Sequence, residues 1–249
     1  MCRHLAYLGE PVPLSGPLFD APHALVRQSW APRDMRGGGT INADGYGAGW
    51  FLPGAAVPVR YRGRGPMWAD PALPGLAAVT ASGALLAAVR SATVGMPVTE
   101  AASAPFAEGA WLFSHNGVVA GWPDSVAELA DRLPTRDLLT LDAPTDSALL
   151  WALVRDRLRA GATTGEAVAA TVTEVAAAAP GSRLNLLLTD GSTIAASTLG
   201  HALSVRAGDA SVLVSSEPLD DDPRWRPVPD AHLLVAGPST LDLTPLGRI

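Results

Sequence analysis

The sequence predicts an α+β fold in which antiparallel sheets are covered by helices. Three observations carry this expectation. Short strand-like runs crowd both ends of the 249-residue chain. Tight turn signals such as Asp190-Gly191 and Gly208-Asp209 join several of these runs as hairpins. The segments with helical period fall together in the middle, where their apolar faces need a sheet or another helix to cover them.

In the first half, strands are predicted at 3–8, 47–52, 57–61, 84–90 and 111–115. The uncharged stretch 71–89 is long enough to span a membrane, but Pro74, Gly75 and Gly83 interrupt it, so it reads as a turn followed by a buried strand. A first helix is predicted over 124–133, with Val126, Leu129, Ala130 and Leu133 on one face and Asp124 as N-cap. A second covers 145–160, its apolar side made by Leu149, Leu150, Leu153, Val154 and Leu158. A third, alanine-rich, covers 164–179 and stops at Pro180-Gly181. Strands follow at 184–189, 193–197, 203–206, 211–215 and 232–236. The Pro-rich loops at 9–23 and 216–231 are short and no linker divides the chain, so a single domain over residues 2–249 is expected.

Composition narrows the chemistry. All 18 basic residues are arginine, and the absence of lysine excludes a Walker-A phosphate loop, a pyridoxal Schiff base and Ser–Lys catalysis. A single cysteine excludes an internal disulfide framework, zinc ribbons and CxxC redox pairs, and such usage fits a reducing compartment. With a net charge of −6 and no basic run, neither nucleic acid nor an anionic membrane is an expected partner. The N-terminus lacks a signal-peptide pattern, so a soluble cytoplasmic protein is expected. No metal site and no cofactor are expected.

That single cysteine is Cys2, directly behind Met1. Aminopeptidases remove an initiator methionine that precedes a small residue, which would leave Cys2 as the N-terminus. A terminal cysteine combines a thiol nucleophile with an α-amine of reference pKa about 7.7–8.0, close to the value that general-base work favours. The competing reading is a processing convenience with an inert thiol.

Four downstream segments could meet Cys2. Arg90 ends a strand before Ser91-Ala-Thr93-Val94-Gly95 and could offer a bidentate fork to a carboxylate, or else sit in a surface salt bridge. His115-Asn116-Gly117 is either a turn or an oxyanion hole, made from the Asn116 amide and the Gly117 N–H. Thr145-Asp146-Ser147 reads as a helix N-cap, and Asp146 could also face a substrate ammonium. Asp44-Gly-Tyr-Gly-Ala-Gly-Trp50 reads as a turn feeding a strand whose glycines permit close approach.

The order of these five elements resembles the class II glutamine amidotransferase domain. That resemblance implies the N-terminal-nucleophile hydrolase fold, a four-layer αββα sandwich, and an N-terminal cysteine that forms a γ-glutamyl thioester. It implies Cys2, Asn116 and Gly117 as catalytic, and Arg90, Thr93, His115 and Asp146 as substrate-binding. Within the family, Cys2-Arg-His-Leu-Ala-Tyr-Leu-Gly9 and Ser215-Ser-Glu-Pro-Leu-Asp220 resemble the γ-glutamyl hydrolases of ergothioneine biosynthesis. The substrate implied is γ-glutamyl-hercynylcysteine sulfoxide, a small molecule whose trimethylammonium group would need an aromatic or acidic cradle. Trp30, Trp50 and Trp111 are the aromatic candidates. Val94 replaces the histidine of many glutaminases, and Ala148 replaces their glutamate, which weighs against free glutamine. The alternatives are a glutaminase subunit that feeds ammonia to a separate synthetase and a non-catalytic binding protein that keeps the fold. Homo-oligomerisation stays open.

Overall fold

The computed structural model describes residues 2–36 and 41–247. Along the chain come β1 (Arg3–Pro13), α1 (Leu25–Gln28), β2 (Gly45–Trp50), β3 (Val59–Gly63), α2 (Leu73–Val79) and β4 (Ala81–Arg90). Then follow β5 (Phe106–Glu108), β6 (Trp111–Val118), α3 (Ala127–Ala130), α4 (Thr135–Leu139), α5 (Asp146–Arg159) and α6 (Thr164–Ala178). The last third holds β7 (Arg183–Thr189), β8 (Ile194–Thr198), β9 (Ser204–Ala207), β10 (Val212–Ser215), β11 (Arg226–Pro227), β12 (His232–Gly237) and β13 (Thr240–Pro245).

All strand pairs are antiparallel and form two sheets. The first runs β11-β9-β10-β1-β4-β2-β3 and the second β13-β12-β8-β7-β6-β5. Side chains alternate across a sheet, and here the alternation separates three apolar cores. Leu5, Tyr46, Trp50, Leu85 and Val89 face α1 and α2, meeting Leu25, Leu73 and Ala77. The other faces of the same strands, carrying Ala6, Leu8, Leu86 and Val214, meet Leu112, Leu187, Ile194 and Leu234 of the second sheet. The outer face of that second sheet, with Phe113, Leu184, Leu186 and Leu188, is covered by α5 and α6 through Leu150, Leu153, Val168, Val172 and Val175. Helix, sheet, sheet and helix make the αββα sandwich. Among the described residues no helix is long and apolar enough to cross a membrane.

The two long helices form as their sequence periods require. Thr145 caps α5 by accepting from the Ala148 N–H, and Thr163 and Glu166 form a capping box on α6, a device that stabilises a helix by about 1 kcal/mol. Elsewhere the structure departs from the expectations. Residues 73–79 are a short helix rather than a turn, because Pro74 sits at the helix start, where its missing N–H costs nothing. The helix expected over 124–133 is a single 3-10 turn followed by α3, and Asp124 makes no cap. α4, β5, β11 and β13 have no counterpart in the sequence reading. They are short or lie at a sheet edge, where pairing rather than an apolar pattern defines them.

Candidate active site

The inward-facing rows of several strands change from apolar to polar at one end of the sandwich. On β1 the row Leu8, Ala6, His4 leads to Cys2, and on β4 the row Leu86, Ala88 leads to Arg90. On β6, Leu112 is followed by Ser114 and Asn116, and Val212 and Val214 of β10 by Ser216. The register brings these ends together. Arg3 pairs with Val89, so one step further along the ladder Cys2 lies opposite Arg90.

Cys2, Ala88, Arg90, Ser114, His115 and Ser147 line one small cavity of about 20 Å³, room for roughly one water. The Cys2 thiol lies 3.8 Å from the Ser91 carbonyl. Arg90 donates from Nη1 to the Pro97 carbonyl at 2.8 Å, and among the described residues it has no carboxylate partner. The salt-bridge reading of Arg90 therefore gives way to a cation that faces the same cavity as the thiol.

His115 lies at the floor with both ring nitrogens engaged. Nε2 donates to the Arg183 carbonyl at 3.0 Å, and Nδ1 lies 3.0 Å from the Ser147 hydroxyl. It is held as a wall of the cavity rather than left open as a base.

Asn116 and Gly117 are not in a turn; they lie within β6. Gly117 is opposite Leu184, whose own N–H bonds Leu199 on the far side of β7. Gly117 thus occupies a non-hydrogen-bonded position of the β6–β7 ladder, and its N–H points away from β7, beyond the end of β5. A Cβ at Gly117 would lie 1.8 Å from the Arg183 carbonyl oxygen, so only glycine allows this approach. The Asn116 amide nitrogen reaches Ser216 Oγ at 3.5 Å, and its Oδ1 is buried without a partner.

Asp146, at the start of α5, accepts from the N–H of Val119 at 3.0 Å and of Ser147 at 2.7 Å. It ties the helix to the segment just after Asn116-Gly117. Thr93 lies on an exposed turn outside the cavity lining, where its carbonyl accepts from Met96. The structure thus brings Cys2, Arg90 and His115 to one cavity, sets Asn116 and Gly117 directly after His115 on β6, and leaves Asp146 and Thr93 outside the cavity lining. The glycines of β2 let the second layer come close: a Cβ at Gly49 would lie 2.7 Å from Leu112, and one at Gly47 2.4 Å from the Ala104 carbonyl.

Nothing in the sequence marks Glu217, within Ser215-Ser-Glu-Pro-Leu-Asp220, as a structural hub. It is buried and accepts from Arg3 Nε at 2.8 Å, His23 Nε2 at 2.6 Å, and the Arg33 and Asp34 N–H groups. Burial pushes its carboxyl up, but the hydrogen bonds from His23 and Arg33, with Arg3, outweigh this and hold it at about 2. Arg3 in turn donates to the Cys2 carbonyl at 2.9 Å, so Glu217 steadies the chain at the thiol. His4 is neutral: burial above all, then the neighbouring His115, His201 and Arg3, lowers it to about 3. The tryptophan candidates do not meet at this site. Trp50 is buried in the helix-side core, Trp111 packs against the α5–α6 core, and Trp30 has the Arg27 guanidinium 4.5 Å over its ring. Among the described residues no group of His, Cys, Asp and Glu is arranged to hold a metal ion.

A γ-glutamyl-hercynylcysteine sulfoxide hydrolase of Mycolicibacterium smegmatis is 41% identical to this chain over 99% of it and over all of the relative's length. One from Mycobacterium tuberculosis is 40% identical over the whole chain and 98% of the relative. The chain belongs to the γ-glutamyl-hercynylcysteine sulfoxide hydrolase family. Among solved structures, a glutamine aminotransferase class-II domain protein from Silicibacter pomeroyi superposes with a TM-score of 0.71 over 99% of this chain and 100% of that one. At 23% identity that likeness concerns the fold. No protein-family model matches the chain. The family membership agrees with the resemblance carried by the ordered motifs.

Proposed function

We propose that this protein hydrolyses the γ-glutamyl amide of γ-glutamyl-hercynylcysteine sulfoxide, releasing glutamate and hercynylcysteine sulfoxide. The observation that carries the reading is the cavity shared by the Cys2 thiol and the Arg90 guanidinium, which among the described residues has no carboxylate partner. The full-length similarity to hydrolases of that name supplies the substrate. Arg90 holds the α-carboxylate of the glutamyl group. With Met1 removed, the Cys2 α-amine takes the thiol proton as sulfur adds to the γ-carbonyl. The Asn116 amide and Gly117 N–H hold the developing oxyanion. The amine then passes its proton to the leaving nitrogen, the C–N bond breaks, and a γ-glutamyl thioester remains. Water adds to this thioester, the C–S bond breaks, and glutamate and the free thiol are regenerated. Asp146 keeps the oxyanion strand in place; to meet the α-ammonium its carboxylate would have to turn from the Val119 and Ser147 N–H groups toward the cavity. A cavity with room for about one water must open to admit the glutamyl group.

The test is glutamate release from the purified substrate, with glutamine as comparator. Cys2→Ala should abolish release with an unchanged circular dichroism spectrum, and a protein that retains Met1 should be equally inactive. Turnover by Cys2→Ala at the wild-type rate would overturn the mechanism.

A further inference from the structure

The first residues of a domain are poorly ordered unless they are tied down, and here the tie is a buried arginine. Arg3 lies on the same face of β1 as Leu5, toward α1, and is 3% exposed. Its Nη1 turns back and donates to the Cys2 carbonyl at 2.9 Å. Nη2 donates to the Asp34 carbonyl, and Nε to Glu217 Oε1 at 2.8 Å. Glu217 is fixed in turn by His23 Nε2 at 2.6 Å and by the N–H groups of Arg33 and Asp34 at 2.8 and 3.2 Å. Gln28 closes the cluster by donating to the carbonyls of His23 and Glu217.

A buried ion pair adds little net stability, because both partners lose their hydration. What this pair provides is a cation in a fixed place. The carbonyl oxygen and α-nitrogen of one residue lie about 3 Å apart, so the Arg3 charge sits within about 6 Å of the Cys2 α-amine. Glu217 bonds Nε and the cysteine bonds Nη1, so the positive end of the pair faces Cys2. The other groups nearby do not cancel it. Asp34 is paired with Arg36 at 2.7 Å. Burial above all holds His4 neutral, at about 3, and burial with Arg183 holds His201 at about 4. In the thiol's cavity Arg90 adds a second cation, and His115 has both ring nitrogens engaged. The carboxylates on the flanking segments are turned to backbone N–H groups, Asp44 to Ala92 and Asp146 to Val119 and Ser147.

We propose that Arg3, anchored by Glu217, is the positioning residue for the Cys2 α-amine: through the carbonyl it fixes how the amine is presented, and through its charge it keeps the amine in the proton-accepting form at neutral pH. The inference rests on the function proposed above and assigns the group that prepares its general base. A cation at this distance disfavours the ammonium, so the amine titrates below its ordinary range of about 7.7–8.0. Glu217 moderates the effect and, by holding Arg3 from the far side, sets its direction.

The chain has one cysteine, so feeding 15N-labelled cysteine marks a single α-nitrogen, whose chemical shift against pH reads the amine directly. In the wild type the midpoint should lie below about 7.7; a midpoint at or above that value overturns the proposal. Arg3→Gln, which can still donate to the Cys2 carbonyl, should raise the midpoint by about one pH unit, the scale of one charge about 6 Å away in a partly hydrated site. Arg3→Lys, which keeps the charge, should restore most of that shift, and Glu217→Gln should move the midpoint down. The acidic limb of kcat/KM for glutamate release should follow the amine, so Arg3→Gln loses about tenfold at low pH and little at high pH. A purely structural role would lower the rate at every pH and move no midpoint, so equal midpoints in wild type and Arg3→Gln overturn the proposal. Should Arg3→Gln fail to fold, the direction of the Glu217→Gln shift decides, and should both fail, the wild-type midpoint does. A labelled nitrogen with the shift of an amide would show Met1 still in place and refute the proposed function, whereas an amine of unmoved midpoint refutes only the role of Arg3.

Discussion

The two ends of the layer between the sheets are built from the same strands and do opposite work. At one end Leu8, Leu86, Leu112, Leu187, Ile194 and Leu234 interlock as an apolar core. At the other, the same inward rows present Cys2, His4, Arg90, Ser114, Asn116 and Ser216. The alternation of a strand fixes which side chains face inward, not what they are. The sandwich thus places chemistry where its inward rows turn polar together, and the apolar end supplies the stability that lets the polar end keep unpaired groups such as Asn116 Oδ1 and His4 Nε2.

This division of labour can be broken from either side. The largest effect expected is on catalysis: Asn116→Ala should lower kcat about 100- to 1,000-fold, as loss of an oxyanion donor does. Its urea midpoint should move little, because among the described residues the Asn116 side chain makes a single long hydrogen bond. At the apolar end, Leu112→Ala should do the reverse, destabilising the fold by about 2–5 kcal/mol while kcat per folded molecule is retained. Leu112 is fully buried between the sheets and touches none of the cavity that holds Cys2. A matching loss of kcat in Leu112→Ala, or of stability in Asn116→Ala, would erase the distinction.

The pH dependence of stability sharpens it. His4 and His201 are held near 3 and 4 in the folded protein, against 6.5 in an unfolded chain. Below pH 6.5 the unfolded chain binds more protons, so stability falls as pH drops from 6.5 toward 4. The slope should approach about 1.4 kcal/mol per pH unit for each histidine. Glu217 acts in the same direction at lower pH: its stabilisation is complete above 4.5 and is lost as pH falls toward 2. Urea midpoints measured between pH 7.5 and 4 should show the decline. A flat profile would mean that the polar end is more hydrated than its burial implies.

The long periodic elements and the ordered motifs were legible in the sequence because they depend on local rules. Helices α5 and α6 follow from their apolar faces and caps, and β4 and β6 from continuous apolar runs. For the Asn116-Gly117 pair the sequence allows a turn or an oxyanion hole; the ladder excludes the turn and points the Gly117 N–H away from β7. The division of 124–133 and the short strands depend on pairing with distant segments, which no local pattern records. Likewise, nothing local marks a tryptophan as core rather than cradle. Trp30, Trp50 and Trp111 are set apart by the layers they pack in.

By itself the sequence determined the α+β class, the absence of lysine chemistry, the lone Cys2 behind Met1 and the order of motifs that points to its family. Tertiary structure decided the rest: that Cys2 lies opposite Arg90, that Glu217 holds Arg3 and the 33–34 backbone together, and that Asn116 and Gly117 sit within β6 rather than in a turn. The reason is physical. Hydrophobic period and capping act over a few residues, whereas register, charge pairing and the shape of a cavity arise only when strands far apart in the chain meet.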